Sequence, residues 1–309
     1  MMIIKKKKKN YKLRELIVNF FFFCYNIVGD SMELLDGKKV KIEMLDNLKK
    51  EIDLLDRKLG LAVIQIANDP ASHVYVKNKN KMASDLGYNF KHIHLDEKVS
   101  QEEVLKEIDK LNNDDSIDGI LIQMPIPKHL DSKIIQNRVN PLKDVDGLTD
   151  INMGKLSHNI DSLVPCTPMG IIDLLKYYNI PIEGKSVTIV GRSDLVGKPL
   201  ASLMINNNAT VTLCHSKTNN LKKYTKQADI LVSAVGTPDL ITADMVKENS
   251  TVIDVAINRT DNGLVGDVDF ESVKDKVKFI TPVPGGVGQM TVLELGRNVY
   301  KAYLLRKNK

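Results

Sequence analysis

The chain has 309 residues and is 43% hydrophobic, enough for about two ordinary domains with buried cores and no disulfide staples. Its formal net charge is +5, but residues 1–14 hold seven basic side chains and no acidic one, so the remainder carries about −2 by subtraction. This distribution, the absence of Trp and an aromatic fraction of 5% argue against a nucleic-acid-binding body. Cys24, Cys166 and Cys214 have no CxxC or zinc-ligand spacing, so we expect no metal site and a reducing, cytoplasmic location.

Residues 1–31 are an atypical basic and apolar extension. The lysine run Lys5–Lys9 precedes an apolar stretch from Leu16 to Val28, which has the length of a signal-peptide hydrophobic region and is too short for a membrane span. The extension is either a targeting or anchoring segment or a mis-assigned upstream stretch with Met32 as the true start. We favour the second hypothesis, and we expect no membrane partner for the body of the protein.

Helices and strands alternate along the rest of the chain. Apolar periodicity predicts helices at 40–55, 72–86, 100–112, 131–139, 168–178, 198–206, 242–248 and 290–305. Short apolar runs predict strands at 59–66, 91–95, 119–123, 186–190, 210–214, 230–235, 251–257 and 278–280. Such alternation is typical of an α/β protein with parallel sheets. We predict a first α/β domain over 32–148, a Rossmann-like, doubly wound nucleotide-binding domain over 149–287, and a C-terminal helix, 288–307, that returns to the first domain.

Candidate site residues of the first domain lie in three segments. Tyr75 and Lys79 are four residues apart on one face of a predicted helix, where the ring could stack on a flat ligand, although a basic solvated face also explains them. Gln123 ends a buried strand, at the edge where open α/β sheets bind ligands, although its amide could equally face water. Asp144 and Asp146 flank a turn and suit the N–H donors of a pterin, but this composition is also common in turns.

A candidate cofactor turn begins at Gly191. It departs from the GxGxxG fingerprint because Ser193 replaces the second glycine, but a tight turn before a helix N-terminus still suits a phosphate. Arg192 could reach a 2′-phosphate. The next predicted strand ends without the acidic residue that often binds the ribose of NAD, and His215 and Ser216 follow it instead. These residues favour NADP over NAD, and a plain strand–turn–helix without a cofactor is the alternative.

Six segments occur together and in order: SHVYVKNK, GILIQMPIP, KDVDG, PCTP, GRSDLVGKP and TPVPGGVG. On these segments the chain resembles the bifunctional methylenetetrahydrofolate dehydrogenase/methenyltetrahydrofolate cyclohydrolase family from about Leu35 to Leu305. The resemblance implies that 5,10-methylenetetrahydrofolate is oxidised with NADP and that the methenyl product is hydrolysed to 10-formyltetrahydrofolate, which supplies one-carbon units for purine synthesis. It also implies that the first domain is the folate-binding catalytic domain and that the chain forms a homodimer through the nucleotide domain.

The resemblance assigns roles to individual residues. Tyr75 would stack on the folate, Lys79 would be the central catalytic group with Gln123 tuning it, and Asp146 would bind the pterin. The cofactor would be held by Gly191, Arg192, Ser193, His215, Ser216 and Ile257. The loop that closes the cleft on the substrate would include Pro284, Gly285 and Gly286. Lys79 can act as acid or base only if its pKa is low, and we expect burial and the neighbouring Lys81 to lower it.

Two residues depart from the family pattern. Ala256 stands where Gly is usual and could crowd the cofactor, and Gln289 stands where Pro is usual and could loosen the closing loop. Neither is one of the four catalytic candidates, so we expect both activities. The alternatives are a dehydrogenase without cyclohydrolase activity, a non-catalytic dinucleotide-binding module, and a nucleic-acid or membrane-surface protein that uses the lysine run.

Overall fold

The structure, a computed structural model, describes residues 32–68, 70–261 and 263–307, without the side chains of 70–72, so the expectations for residues 1–31 lie outside the described residues. The strands are β1 (Glu33–Leu34), β2 (Gly60–Ile66), β3 (Asn89–Leu95), β4 (Gly119–Gln123), β5 (Ser186–Val190), β6 (Thr210–Cys214), β7 (Ile230–Ser233), β8 (Thr251–Asp254), β9 (Asn258–Thr260), β10 (Gly263–Val265) and β11 (Phe279–Ile280). The helices are α1 (Gly37–Ile52), α2 (Pro70–Asp85), α3 (Gln101–Asn112), α4 (Ser132–Arg138), α5 (Asp150–Ser157), α6 (Cys166–Tyr177), α7 (Gly197–Asn206), α8 (Leu221–Thr225), α9 (Phe270–Val273) and α10 (Val287–Lys307).

The first domain is built on a three-stranded parallel sheet with the order β3-β2-β4. Every residue of β2 and β4 is buried, because helices cover both faces, and this is why these strands read as continuous apolar runs. The carboxyl ends of β2 and β4 lie at one edge of the sheet, where Gln65 pairs with Gln123. This edge is where a ligand is expected in an open α/β sheet.

The second domain is built on a six-stranded parallel sheet with the order β1-β11-β8-β7-β5-β6. From β5 the chain proceeds to β6 on one side and then to β7 on the other. The strand order therefore reverses at β5, and the turn that follows Val190 opens at this switch point. The predicted fold class, a two-domain α/β protein with a Rossmann-like second domain, is confirmed.

The C-terminal helix α10 joins the two domains. Its first half packs in the core of the second domain through Val287, Met290 and Leu293, and its second half packs in the core of the first through residues that include Val299. Near its end, Arg306 binds the buried carboxylate of Asp118, which also takes two hydrogen bonds from Arg57 and one from the backbone of Gly60. The prediction that this helix returns to the first domain is confirmed. Within the described ranges, no helix is long and apolar enough to cross a membrane.

Several predicted elements differ from those observed. The helix predicted at 242–248 is a single 3₁₀ turn, Ala243–Met245, because the chain then buries Val246 and reverses at Asn249, whose φ of 57° is left-handed. The strand predicted at 251–257 ends at Asp254, and the antiparallel hairpin β9–β10 follows it. The residues of β1, which we assigned to the first domain, instead pair with β11 in the sheet of the second domain.

Candidate active site

A lysine and a glutamine meet at the carboxyl edge of the small sheet. Helix α2 follows β2 and carries Lys79, and Gln123 is the last residue of β4. The Lys79 Nζ donates a hydrogen bond to Gln123 Oε1 at 2.7 Å. The Gln123 Nε2 donates to the carbonyl of Met124 at 2.6 Å, which orients the buried amide with its oxygen towards the amine. The structure therefore brings together two side chains that the sequence placed on separate elements.

Burial prepares the Lys79 amine for proton transfer. The pKa of Lys79 lies below the ordinary lysine value of 10.5, chiefly because burial penalises the ammonium form, while Asp146 and Cys166 oppose this shift. Lys81, which we expected to contribute, lowers the pKa of Lys41 instead. Desolvation rather than a neighbouring cation is thus the source of the low pKa of Lys79.

The two acidic residues of the KDVDG segment have different tasks. Asp144 is fully buried and accepts hydrogen bonds from Gln136 Nε2, the Thr149 amide and Asn152 Nδ2. The buried ammonium of Lys143 donates to three carbonyls at the end of α3, so it too serves the fold. Asp146 instead interacts electrostatically with Lys79, and burial raises its pKa to about 6 against the opposing effect of Lys79. Asp146 is therefore the carboxylate that belongs to the site.

Helix α10 fixes the backbone that carries Asp146. The Asn298 Nδ2 donates to the carbonyls of Val145 and Val164 at 2.9 and 2.8 Å. The Cys166 thiol donates to the same Val145 carbonyl at 3.3 Å. Reasoning from the sequence missed Asn298, because no motif links it to the KDVDG segment, which lies far away in the chain.

Tyr75 lies one helical turn before Lys79 and is 48% exposed. Its ring is therefore accessible to a ligand on the same face of the helix as Lys79. An exposed ring at this position is available to stack on a flat ligand, and this role stays a prediction.

The turn after β5 forms a cradle that a side chain would fill. Gly191 has a φ of 123°, and a Cβ built on it would lie 2.4 Å from the Ala234 carbonyl oxygen. A Cβ on Gly197 would lie 2.0 Å from the Gly191 carbonyl oxygen, so helix α7 begins in direct contact with the turn. The Ser193 Oγ accepts a hydrogen bond from the Val196 amide at 3.2 Å. A tight glycine turn at a helix N-terminus can bind a phosphate through backbone N–H groups. The turn therefore fits the pyrophosphate of a dinucleotide.

The remaining candidate cofactor residues surround this cradle. Arg192 is exposed, and His215 and Ser216 follow β6, which pairs with β5 so that its end lies beside the turn. The His215 Nδ1 accepts a hydrogen bond from the Lys217 amide at 3.1 Å, which leaves Nε2 for a ligand. Ile257 lies on the other side, and a Cβ on Gly288 would come within 3.2 Å of its Cδ1. The structure thus gathers these residues at one sheet edge.

The closing loop packs on the first turn of α1. The Gly285 carbonyl accepts a hydrogen bond from the Lys38 amide at 3.1 Å, and a Cβ on Gly37 would lie 2.2 Å from the Gly286 oxygen. Gly286 is buried by this packing, whereas Pro284 is exposed. Pro284 is therefore the residue of this group most accessible to a substrate, and Gly286 shapes the loop.

The two departures from the family pattern cause no visible strain. Ala256 does not adopt the left-handed backbone that would require glycine. The Gln289 amide donates to the Gly286 carbonyl at 3.1 Å, a hydrogen bond that proline could not make, and its side chain accepts one from Lys41 at 3.4 Å. In the part of the chain that the structure describes, no group of three or more His, Cys, Asp or Glu residues could hold a metal ion.

Comparisons with known proteins agree with this geometry. Residues 35–146 match the catalytic domain, and residues 165–307 the NAD(P)-binding domain, of the tetrahydrofolate dehydrogenase/cyclohydrolase family. The bifunctional protein FolD of Bacillus subtilis is 52% identical over 244 residues, which cover 79% of this chain and 86% of that protein.

Two solved structures are also similar. The bifunctional FolD enzyme of Campylobacter jejuni has a TM-score of 0.87 and 44% identity, covering 89% of this chain and all of that one. The FolD of Trypanosoma brucei, solved with NADP and an inhibitor, has a TM-score of 0.85 and 33% identity, covering 90% of this chain and 99% of that one. The chain belongs to the tetrahydrofolate dehydrogenase/cyclohydrolase family.

Proposed function

We propose that this chain oxidises 5,10-methylenetetrahydrofolate to the methenyl form with NADP and then hydrolyses that product to 10-formyltetrahydrofolate. The observation that carries the proposal is the 2.7 Å hydrogen bond between Gln123 and the Lys79 amine, whose pKa is lowered by desolvation, next to Asp146. The site combines a desolvated amine, an oriented amide and a carboxylate at the carboxyl edge of an α/β sheet. Such a set of groups suits proton transfer on a heterocyclic substrate.

The hydrolytic step uses Lys79. Water attacks the methenyl carbon, and the neutral amine accepts a proton as the carbon–oxygen bond forms. The bond from that carbon to the ring nitrogen N5 then breaks and N5 receives a proton, so that one proton is released overall. Gln123 holds the amine in place, Asp146 binds the N–H donors of the pterin, and Tyr75 stacks on the substrate.

The nucleotide domain serves the oxidation. Gly191 and Ser193 bind the pyrophosphate from the cradle at β5 and Arg192 binds the 2′-phosphate, with His215 and Ser216 beside them and Ile257 on the opposite side. NADP, when bound, accepts the hydride from the methylene carbon. The closing loop, with Pro284, Gly285 and Gly286, covers the substrate in the cleft. The exposed guanidinium of Arg192, which can reach a 2′-phosphate, supports NADP in preference to NAD.

A homodimer formed through the nucleotide domain belongs to the same proposal. Strand β6 lies at the end of its sheet, and Ile205, on helix α7 that leads into it, is 58% exposed. We expect sedimentation of the full chain to give a dimer and Ile205→Asp to shift it towards monomer, whereas a monomeric wild type would contradict this. The free thiols of Cys166 and Cys214 fit a cytoplasmic location.

The experiment that tests the two activities measures each one alone. The purified full chain is mixed with methylenetetrahydrofolate and NADP, and reduced cofactor is followed. Separately, methenyltetrahydrofolate is supplied without cofactor and its hydrolysis is compared with the spontaneous rate. We expect both reactions to be accelerated. Oxidation without hydrolysis would leave a dehydrogenase only, and the absence of both would favour a binding module.

A further inference from the structure

A buried carboxylate organises the loop that follows β7. Asp267 is fully buried and accepts hydrogen bonds from two side chains, Ser233 Oγ at 2.9 Å and Asn258 Nδ2 at 3.3 Å. It also accepts them from three successive backbone amides, those of Val235, Gly236 and Thr237 at 2.8, 3.3 and 2.7 Å. One side chain thus fixes the loop after β7 and the start of β9 together.

This carboxylate is itself held rigidly. The Asp267 and Val268 amides donate to the two oxygens of Asp254 at 3.0 and 2.9 Å. A Cβ on Gly266 would lie 1.8 Å from an Asp254 oxygen, so the chain there approaches this second carboxylate as closely as only glycine allows. None of the described lysines and arginines forms an ion pair with Asp267. Burying a carboxylate without an ion pair is costly, and here the cost is offset by five hydrogen bonds, three of them from backbone amides of one loop.

The loop that Asp267 fixes borders the cofactor turn. Strand β7 pairs with β5, and the Ala234 carbonyl oxygen, just after β7, would lie only 2.4 Å from a Cβ on Gly191. His215 and Ser216 lie on the opposite side of β5, after β6. In a doubly wound sheet the dinucleotide crosses the switch point, so the adenosine half belongs on the β6 side and the nicotinamide half on the β7 side.

We propose that Asp267 is a positioning residue for the dehydrogenase reaction. It does not touch the reacting atoms; it holds Val235 to Thr237, together with Asn258 and the adjacent Ile257, as the wall against which the nicotinamide half is aligned for hydride transfer. This inference rests on the proposed function, because it assigns the residue to one of the two activities of this chain.

The test uses Asp267→Asn in the full chain, a change that keeps the shape and replaces one acceptor oxygen with an amide that faces N–H donors. We expect kcat/KM for NADP in the oxidation to fall by roughly tenfold to a hundredfold, because small misplacements of reactants are costly. Hydrolysis of methenyltetrahydrofolate, measured without cofactor, should stay within about twofold, because Lys79, Gln123 and Asp146 lie in the other domain. Asp275→Asn, an exposed change in the same domain, should alter neither activity.

Binding separates positioning from general damage. The affinity for NADP should weaken, whereas the affinity for 2′,5′-ADP, which represents the adenosine half, should be unchanged. Ser233→Ala removes one donor and leaves the carboxylate, so it should cause a smaller loss in the same direction even if Asp267→Asn folds poorly.

Equal losses of both activities, or equal losses of affinity for both nucleotides, would make Asp267 a purely structural residue and overturn the inference. Unchanged oxidation by Asp267→Asn would overturn it as well. If the wild-type chain reduces no cofactor, the proposed function fails, and the two affinities still decide whether Asp267 organises the nicotinamide side.

Discussion

The sites of the two domains are built by different means. In the first domain, side chains provide the chemistry: a desolvated amine, an oriented amide and a carboxylate whose pKa is raised to about 6. In the second domain the backbone forms the site: a glycine turn lies at a helix N-terminus, and the buried Asp267 carboxylate holds the neighbouring loop. Single side-chain changes should therefore abolish chemistry in the first domain, whereas in the second they should change affinity and alignment.

The largest effect is expected from Lys79→Met. Loss of the amine removes the acid–base group, so hydrolysis of methenyltetrahydrofolate should fall by about a hundredfold or more. Lys77→Met, an exposed change on the same helix, is the matched control and should leave the rate unchanged. Comparable losses in both variants would show that Lys79 has no special role.

The next largest effect is expected from Arg192→Ala. In the proposed function the exposed guanidinium recognises the 2′-phosphate, so KM for NADP should rise by about tenfold or more, while KM for NAD should stay the same. Steady-state oxidation with each cofactor provides the measurement, and NAD is the internal control. An equal rise in KM for both cofactors would show that Arg192 does not act on the 2′-phosphate.

Asp146 and Asp144 offer a comparison within one segment. Asp146→Asn should raise KM for the folate by about tenfold with little change in thermal stability, because it removes the partner of the pterin. Asp144→Asn should instead lower the free energy of unfolding by about 2 kcal/mol, because it disturbs a buried hydrogen-bonded carboxylate. Denaturant titration and substrate kinetics on both variants test this. A loss of stability in Asp146→Asn together with a raised folate KM in Asp144→Asn would contradict the roles given to the two residues.

The raised pKa of Asp146 predicts a pH dependence. Because the proposed function has the carboxylate form of Asp146 bind the pterin, KM for the folate should rise as the pH falls through about 6, and Asp146→Asn should remove this change. The folded protein also holds this proton more tightly than the unfolded chain. This group should therefore make the free energy of unfolding decrease as the pH rises from 3.8 to about 6. A folate KM that is constant across pH 6 in the wild type would contradict the binding of the pterin by the Asp146 carboxylate.

The smallest effects are expected at the two family departures. Ala256→Gly and Gln289→Pro should each change kcat/KM for NADP by less than about twofold, because neither residue is strained where it stands. Kinetics with both single variants measure this. A large gain in cofactor affinity for Ala256→Gly would show that its Cβ does crowd the cofactor.

The parallel strands could be predicted closely from the sequence. Gly119–Gln123, Ser186–Val190 and Thr210–Cys214 have the predicted bounds, because short runs rich in apolar and β-branched residues are typical of strands. The capping box of Ser100 and Glu103 was also readable, since it depends on local spacing. The position of Gln123 at the ligand-binding edge of the sheet followed from the rule for open α/β sheets, whereas its pairing with Lys79 was implied only by the family resemblance.

Long-range polar contacts could not be predicted. The strand at 230 was expected to reach Val235, but its ladder ends at Ser233 because the Val235 amide binds the Asp267 carboxylate. Likewise the different tasks of Asp144 and Asp146 depend on donors brought in by α4 and α5 and on Lys79. Such contacts join residues far apart in the chain, and local patterns carry no information about them.

The most direct test of this account is a titration of the Lys79 amine. NMR of the full chain with isotopically labelled lysine, with the signal assigned by its loss in Lys79→Met, would follow the amine as the pH is raised. The account predicts that Lys79 titrates clearly below the ordinary lysine value of 10.5, because burial disfavours its ammonium form. A Lys79 amine that titrates at the ordinary value would contradict the desolvated base on which the proposed hydrolysis depends.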